Sequence, residues 1–578
     1  MANKGLISLL FTAFLLINCN AAANANERKV RIVYMGEPPK GEASAATIHH
    51  SILKAVLGSD SSAKESLIYS YRSFSGFAAK LTDEEVEKFS GIWPEHESFN
   101  DVGLGAPPSK WKGTCQGTNF TCSNENFYDV TDFKSPRDSE GHGTHTSSTA
   151  AGDRVAGASY YGLANGTARG GVPGSRIAMY KVCWSIGCGT ADILAAFDDA
   201  ISDGVDIISV SLGADWPIPY DEDPIAIGSF HAMKNGILTS SSAGGSQDIS
   251  KYCITGFLNS NPTATILLGE TWTDYMAPYV VSFSSRGPNP ISPDILKPDL
   301  TAPGVDILAA WSPVAIPSIA YEDPRSVNYN IISGTSMSCP HASGAAAYVK
   351  AAHPDWSPAA IKSALMTTAT VVDPKKHVDL EFAYGSGQIN PTEAIKPGLV
   401  YDANETDYIN FLCKQGYNTT TLRHITGDNS SVCTSTMPGP AWDLNYPSFS
   451  LAIVDGQPIN GVFPRTVTNV GSPNATYNVW VSTQPGFTIS VEPQTLSFSN
   501  VGDKKSFTVN VTGPKIAQQE ITSGAIIWTD SDHKYVVRSP VVVYNVLPTP
   551  FFGFSNSQKK PTFQGPSMYH KNGILGRN

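Results

Sequence analysis

The chain has 578 residues, too many for one ordinary domain, so about two to four domains are expected. With 16% charged residues, 50 Gly and 40 Pro, its composition is loop-rich and globular, which excludes a coiled coil or a disordered chain. A net charge of −11 argues against nucleic acid or an anionic membrane surface as the main partner.

Residues 1–25 have the layout of an export signal. Lys4 supplies the positive end, Leu6 to Ile17 an apolar core, and Ala23-Asn24-Ala25 small residues for cleavage. The apolar run is too short to span a bilayer, as is every later one, so the expected product is secreted and not membrane-bound. Export permits disulfides. Setting Cys19 aside with the signal leaves eight cysteines. Cys115/Cys122, Cys183/Cys188 and Cys413/Cys433 are near neighbours able to close small loops, whereas Cys253 and Cys339 have no obvious mates. No C-x-x-C occurs, which argues against a thiol or zinc site. Sequons starting at Asn119, Asn165, Asn404, Asn418, Asn429, Asn474 and Asn510 fit a glycosylated extracellular surface.

Residues 29–88 alternate in character. VRIVYMG reads as a strand, TIHHSILKAVLG as a helix, LIYSYRSFSGFAAKL as strand again, and TDEEVEKF as a helix opened by a capping box, Thr82 with Glu85. Together they predict a small α+β module. From about 140 to 370 the pattern is α/β. RIAMYKVC is strand-like; ADILAAFDDAISDG places Ile193, Phe197 and Ile201 at helical spacing and stops at Gly204; VDIISVSLG is a buried strand; and WSPAAIKSALMTTA starts a helix with Ser357 at N-cap and Pro358 at N1. Such alternation predicts a largely parallel sheet flanked by helices. Between about 440 and 545 the period becomes two: Phe487, Ile489 and Val491 share one strand face, as do Phe507, Val509 and Val511, predicting a β-sandwich. Residues 547–578 show no usable period and are expected to form a loose tail.

Two clusters can carry chemistry. DSEGHGTHTSSTAAG places His142 between glycines and follows it with small residues suited to a closely packed helix. ISGTSMSCPHASGAAAYVKAA places Ser336 where an extended segment turns into a helix, whose N-terminal N–H groups favour a developing oxyanion. An imidazole within reach takes the hydroxyl proton and activates the serine. Other readings fit less well. H-G-T-H lacks a third metal ligand at a helpful spacing. Ser336 as a bare N-cap is the commoner role for a lone serine. An α/β-hydrolase wants G-x-S-x-G with the histidine last, whereas the second glycine is missing here and the histidine comes first. Histidine before serine on a parallel sheet matches the subtilisin order.

On GHGTHT, YKVCW, SFSSRGPN, KPDLTAPGVDILAAW, ISGTSMSCPH and WSPAAIKSALMTTA, roughly residues 25–546 resemble a plant subtilisin-like serine protease of the cucumisin group. The resemblance implies an inhibitory propeptide over 29–88, a subtilisin-like catalytic domain over 89–400 and a fibronectin-III-like domain over 440–546. It implies His142 as general base, Ser336 as nucleophile, and Ser211, Leu212 and Gly213 lining a cleft that holds an extended peptide by main-chain hydrogen bonds. The reaction implied is peptide-bond hydrolysis through an acyl-enzyme, with no metal or organic cofactor. Protein or peptide substrates and the chain's own propeptide would be its partners.

The chain also departs from that pattern. The family's GIWPE follows Asp-Thr or Asp-Ser, and that aspartate completes the triad; here Phe89 and Ser90 stand there, so Phe89 holds the acid's place. The last propeptide strand, the maturation junction and the first catalytic strand are missing too. The family's Ala-Gly-Asn, whose asparagine serves the oxyanion, reads Ala243-Gly244-Gly245, and most of the protease-associated insert that should follow is absent. Asp129, Asp132 and Asp138 belong to other segments and offer no obvious replacement acid. The alternative is therefore a catalytically impaired relative that acts by binding.

Overall fold

A computed structural model describes residues 91–113, 137–244 and 273–546, apart from 105–106, 185–186, 215, 319–322, 435–436 and 517–520. It also gives the backbone of strands Lys29–Gly36, Leu67–Ser70, Ser75–Leu81, Tyr569–His570 and Gly573–Ile574. The export signal, the two propeptide helices, Phe89, Cys115, Asn119, Cys122, Gly245 and Cys253 lie outside the described residues.

The N-terminal strands form an antiparallel sheet in the order Lys29–Gly36, Ser75–Leu81, Leu67–Ser70. LIYSYRSFSGFAAKL is thus two strands of a hairpin, not one.

The central region is α/β. Helix Thr190–Asp203 ends as expected at Gly204, whose left-handed conformation (φ 84°) lets its N–H reach the carbonyls of Ala200 and Ile201. Its buried face, with Ile193 and Phe197, packs against Val210, Leu212 and Ile237. Ile207–Val210 pairs in parallel with Leu238–Ser241. Helix Pro358–Thr367 begins at Ser357, whose Oγ accepts the Ala360 N–H at 3.0 Å. The expected strand RIAMYKVC is not one: only Cys183–Trp184 is extended in a ladder, and Ile177 is exposed. A strand persists only where a neighbour satisfies its N–H and C=O groups, and among the described residues no strand pairs with residues 176–182. What remains nearby is a single parallel bridge, Ile92 to Arg137.

The C-terminal sandwich packs two sheets. One runs Leu399–Tyr401, Pro458–Asn469, Lys504–Lys515, Thr488–Glu492; the other runs Phe449–Val454, Val536–Val546, Ile521–Asp530, Thr476–Thr483, Thr495–Ser497. Ile489 and Val491 face Val511 and Val509 across one ladder, and both apolar triplets read from the sequence are buried with Phe463, Tyr477 and Trp528. Each such side chain contributes about 1.5–3 kcal/mol on burial. The sandwich docks onto the central region through Leu296, Phe382, Val542 and Tyr544, and through Arg538, which lies 3.7 Å from the buried Glu381 carboxylate.

Cys183–Cys188 and Cys413–Cys433 are disulfides, and Cys339 is a buried free thiol. Among the described residues no helix is long and apolar enough to cross a membrane.

Candidate active site

The histidine helix, His142–Ala151, starts behind Gly141, whose left-handed backbone (φ 97°) no larger residue could adopt here. A Cβ would lie 2.3 Å from the Trp311 ring. Asp138 holds the entry. Its Oδ1 accepts the N–H groups of Glu140 (3.1 Å) and Gly141 (2.9 Å), and its Oδ2 accepts the N–H (2.8 Å) and hydroxyl (2.7 Å) of Thr144. Sequence reasoning set Asp138 aside, and the structure gives its carboxylate this scaffolding role, with every bond of that group within six residues. Thr144 Oγ1 in turn accepts the Trp93 N–H at 3.0 Å, and the Gly91 carbonyl lies where a Cβ on Gly143 would be. GIWPE is thereby moored to the first turn of the histidine helix.

His142 is buried, with 6% exposure. Burial pulls its imidazole down to about 4, against the upward pull of the Asp138 carboxylate, so the ring is neutral at pH 7. Its Nε2 has no hydrogen-bond partner among the described residues.

Ser336 is the second residue of the serine helix, Thr335–Ala352, which follows directly on strand Tyr329–Gly334, as the sequence predicts. It is 0% exposed. Its hydroxyl donates to the Ser211 carbonyl at 3.3 Å, and the Ser211 hydroxyl donates to the Ser336 carbonyl at 2.9 Å. This reciprocal pair ties the end of strand Ile207–Val210, and hence Ser211, Leu212 and Gly213, to the N-terminus of the serine helix.

The two helices pack side by side. The Ala150 carbonyl lies 3.1 Å from where a Cβ on Gly344 would sit, and His341 lies near enough to His145 for its charge to oppose protonation of that ring. Residues rising in number on one helix thus meet residues rising on the other, which puts His142 and Ser336 at the same end. The imidazole and hydroxyl are not hydrogen-bonded to one another; the hydroxyl is turned to Ser211.

A further occupant was not legible in the sequence. The tail is not wholly loose: Tyr569–His570 pairs antiparallel with Gly213–Ala214 on one side and through Tyr569 with Cys188 on the other, and Gly573–Ile574 pairs with Ser333–Gly334. Two-residue strands have no period to detect. An edge strand offers its N–H and C=O groups to a passing chain, as Gly213–Ala214 and the side of Gly187–Cys188 away from Cys183–Trp184 do here.

A helix-borne serine, a neutral buried histidine preceding it in the chain and an α/β core define a serine-peptidase type of site. Known proteins narrow this. The Subtilase family pattern matches residues 89–387, a Peptidase inhibitor I9 pattern matches 31–91, and a Fibronectin type-III domain pattern matches 443–543. Subtilisin-like protease SBT4.3 of Arabidopsis thaliana is 39% identical over 706 positions, covering 90% of this chain and 96% of that one. Subtilisin-like protease SBT4.10 of the same plant is 41% identical over 662 positions, covering 90% and 94%. The chain belongs to the subtilase family. Both alignments are longer than the 578 residues of the chain, so these relatives carry residues with no counterpart here. The inhibitor and protease matches overlap at 89–91, leaving nothing between them.

Proposed function

We propose that the protein is a secreted subtilisin-like serine endopeptidase, kept as a zymogen by its own propeptide, and slow in the form of this chain. Ser336 attacks the peptide carbonyl while His142 takes its proton. The acyl-enzyme then yields to water, with His142 as base again. The observation that carries this reading is the placement of a neutral buried imidazole and a helix N-terminal serine at the same end of two closely packed helices. Substrate would lie extended along Ser211, Leu212 and Gly213. Domain limits at 1–25, 29–88, 89–400, 440–546 and 547–578 belong to the same reading. So does glycosylation of the seven sequons; Asn165, Asn404, Asn418, Asn429 and Asn474 are exposed.

Slowness follows from what is missing. In subtilisin itself, a member of this family, loss of the triad acid costs about 3 × 10⁴ in kcat, and loss of the oxyanion asparagine about 10²–10³. A second reading, a relative that binds peptides without cutting them, is supported by the Ser336 hydroxyl's bond to Ser211 in place of His142. A fluorophosphonate probe separates the two. Slow labelling abolished by Ser336→Ala and strongly reduced by His142→Ala supports the peptidase; no labelling of the folded chain supports the binding protein.

A further inference from the structure

Strands Gly187–Cys188 and Gly213–Ala214 do not pair with each other. The tail strand Tyr569–His570 lies between them, giving the sheet order Cys183–Trp184, Gly187–Cys188, Tyr569–His570, Gly213–Ala214. With neighbouring strands about 4.8 Å apart, the outer two stand roughly 10 Å from one another, a slot one strand wide. The second anchor is Ser333–Gly334, which ends two residues before Ser336. Both anchors hold the tail antiparallel, and only Lys571 and Asn572 separate the two tail strands in sequence. The tail therefore enters beside the strand tied to the nucleophile and leaves beside the strand that leads into the nucleophile's helix.

We propose that the C-terminal tail is the resident occupant of the peptide cleft and excludes other extended polypeptides from it. This rests on reading residues 211–214 as that cleft. Charge favours the same occupant: residues 547–578 contain four Lys or Arg and no Asp or Glu, in a chain of net charge −11. Reach does as well. Tyr569 follows the last sandwich strand, which ends at Val546, after residues 547–568, and any flexible chain of that length spans on the order of 25 Å. A tether of that length gives an effective concentration in the millimolar range, enough for a modest ladder to keep the slot filled.

The test compares two full-length proteins, both carrying Ser336→Ala so that no probe is cut. One has the native tail; the other has Tyr569→Pro, His570→Pro, Gly573→Pro and Ile574→Pro, which remove every N–H from the two tail strands. A fluorescent peptide of residues 565–578 is titrated against each and followed by anisotropy. The proline variant is expected to bind at least tenfold more tightly, and amide exchange across 211–214 and 333–334 is expected to be faster in it without peptide. Equal affinity for the two proteins, or binding to neither, overturns the proposal, as does unchanged exchange. Because this readout is binding, it stands or falls separately from fluorophosphonate labelling, which tests the peptidase reading.

Discussion

At the scale of single residues, Asp138 and His142 divide what a triad acid and base would share. Asp138 spends both carboxylate oxygens on Glu140, Gly141 and Thr144, so it shapes the turn and lends His142 only its charge. Asp138→Ala leaves buried N–H groups without acceptors, at about 1–3 kcal/mol each, so a loss of about 3 kcal/mol or more is expected in urea unfolding. Since burial holds the imidazole near 4, the rate of fluorophosphonate labelling should stay level from pH 8 down to about 5 and fall only below that. A lower limb near 7 would mean that the ring is hydrated. Phe89→Asp, two residues before the Gly91 carbonyl that lies against Gly143, should raise the labelling rate at least tenfold and move the lower limb upward, because a nearby carboxylate favours the imidazolium. An unchanged rate would show that the acid needs the absent strand to deliver it.

At the scale of elements, legibility followed the range of the forces involved. Helices Thr190–Asp203 and Pro358–Thr367 were readable to their caps because Gly204, Ser357 and Pro358 act on their own first or last turn. Ser336 and His142 were readable as helix-start residues for the same reason. RIAMYKVC had the composition of a strand but depends on a distant partner, and the paired tail residues depend on a slot that no local pattern announces. Asp138 was missed because its partners, though close in sequence, are mostly backbone groups. Docking of GIWPE can be tested at Gly143, whose missing side chain makes room for the Gly91 carbonyl. Gly143→Ala would put a Cβ 1.8 Å from that oxygen, so residues 91–93 must detach, with loss of the Trp93–Thr144 bond. Faster amide exchange at Trp93 and a lower melting temperature are expected.

For the molecule as a whole, the sandwich and the central region share buried polar as well as apolar contacts. Arg538 faces Glu381, and its Nη1 donates to the Ser386 carbonyl at 3.2 Å. Arg538→Ala strands a buried carboxylate and should cost about 3–5 kcal/mol, seen as a lowered melting temperature. Glu381→Gln in the same chain should recover part of it. Three buried histidines make stability depend on acid. His142 and His231 are held near 4 and His145 near 3, against 6.5 in an unfolded chain. The unfolded state therefore takes up more protons below 6.5, so stability present above that value drains away as pH falls toward 4. Urea midpoints at pH 7, 6 and 5 should decline in that order.

Strand Leu399–Tyr401 lies upstream of the fibronectin match, which begins at residue 443, yet it forms the border of the sandwich's four-stranded sheet. Tyr401 reaches Ser539 with its hydroxyl at 2.9 Å, while its N–H donates to Ser363 in helix Pro358–Thr367 at 2.9 Å. The C-terminal unit is accordingly stitched to its neighbour and is no detachable cassette. A fragment trimmed at the homology limit would bare the ladder face of Pro458–Asn469, inviting aggregation, and grafting this unit onto another protein requires carrying its borrowed border along.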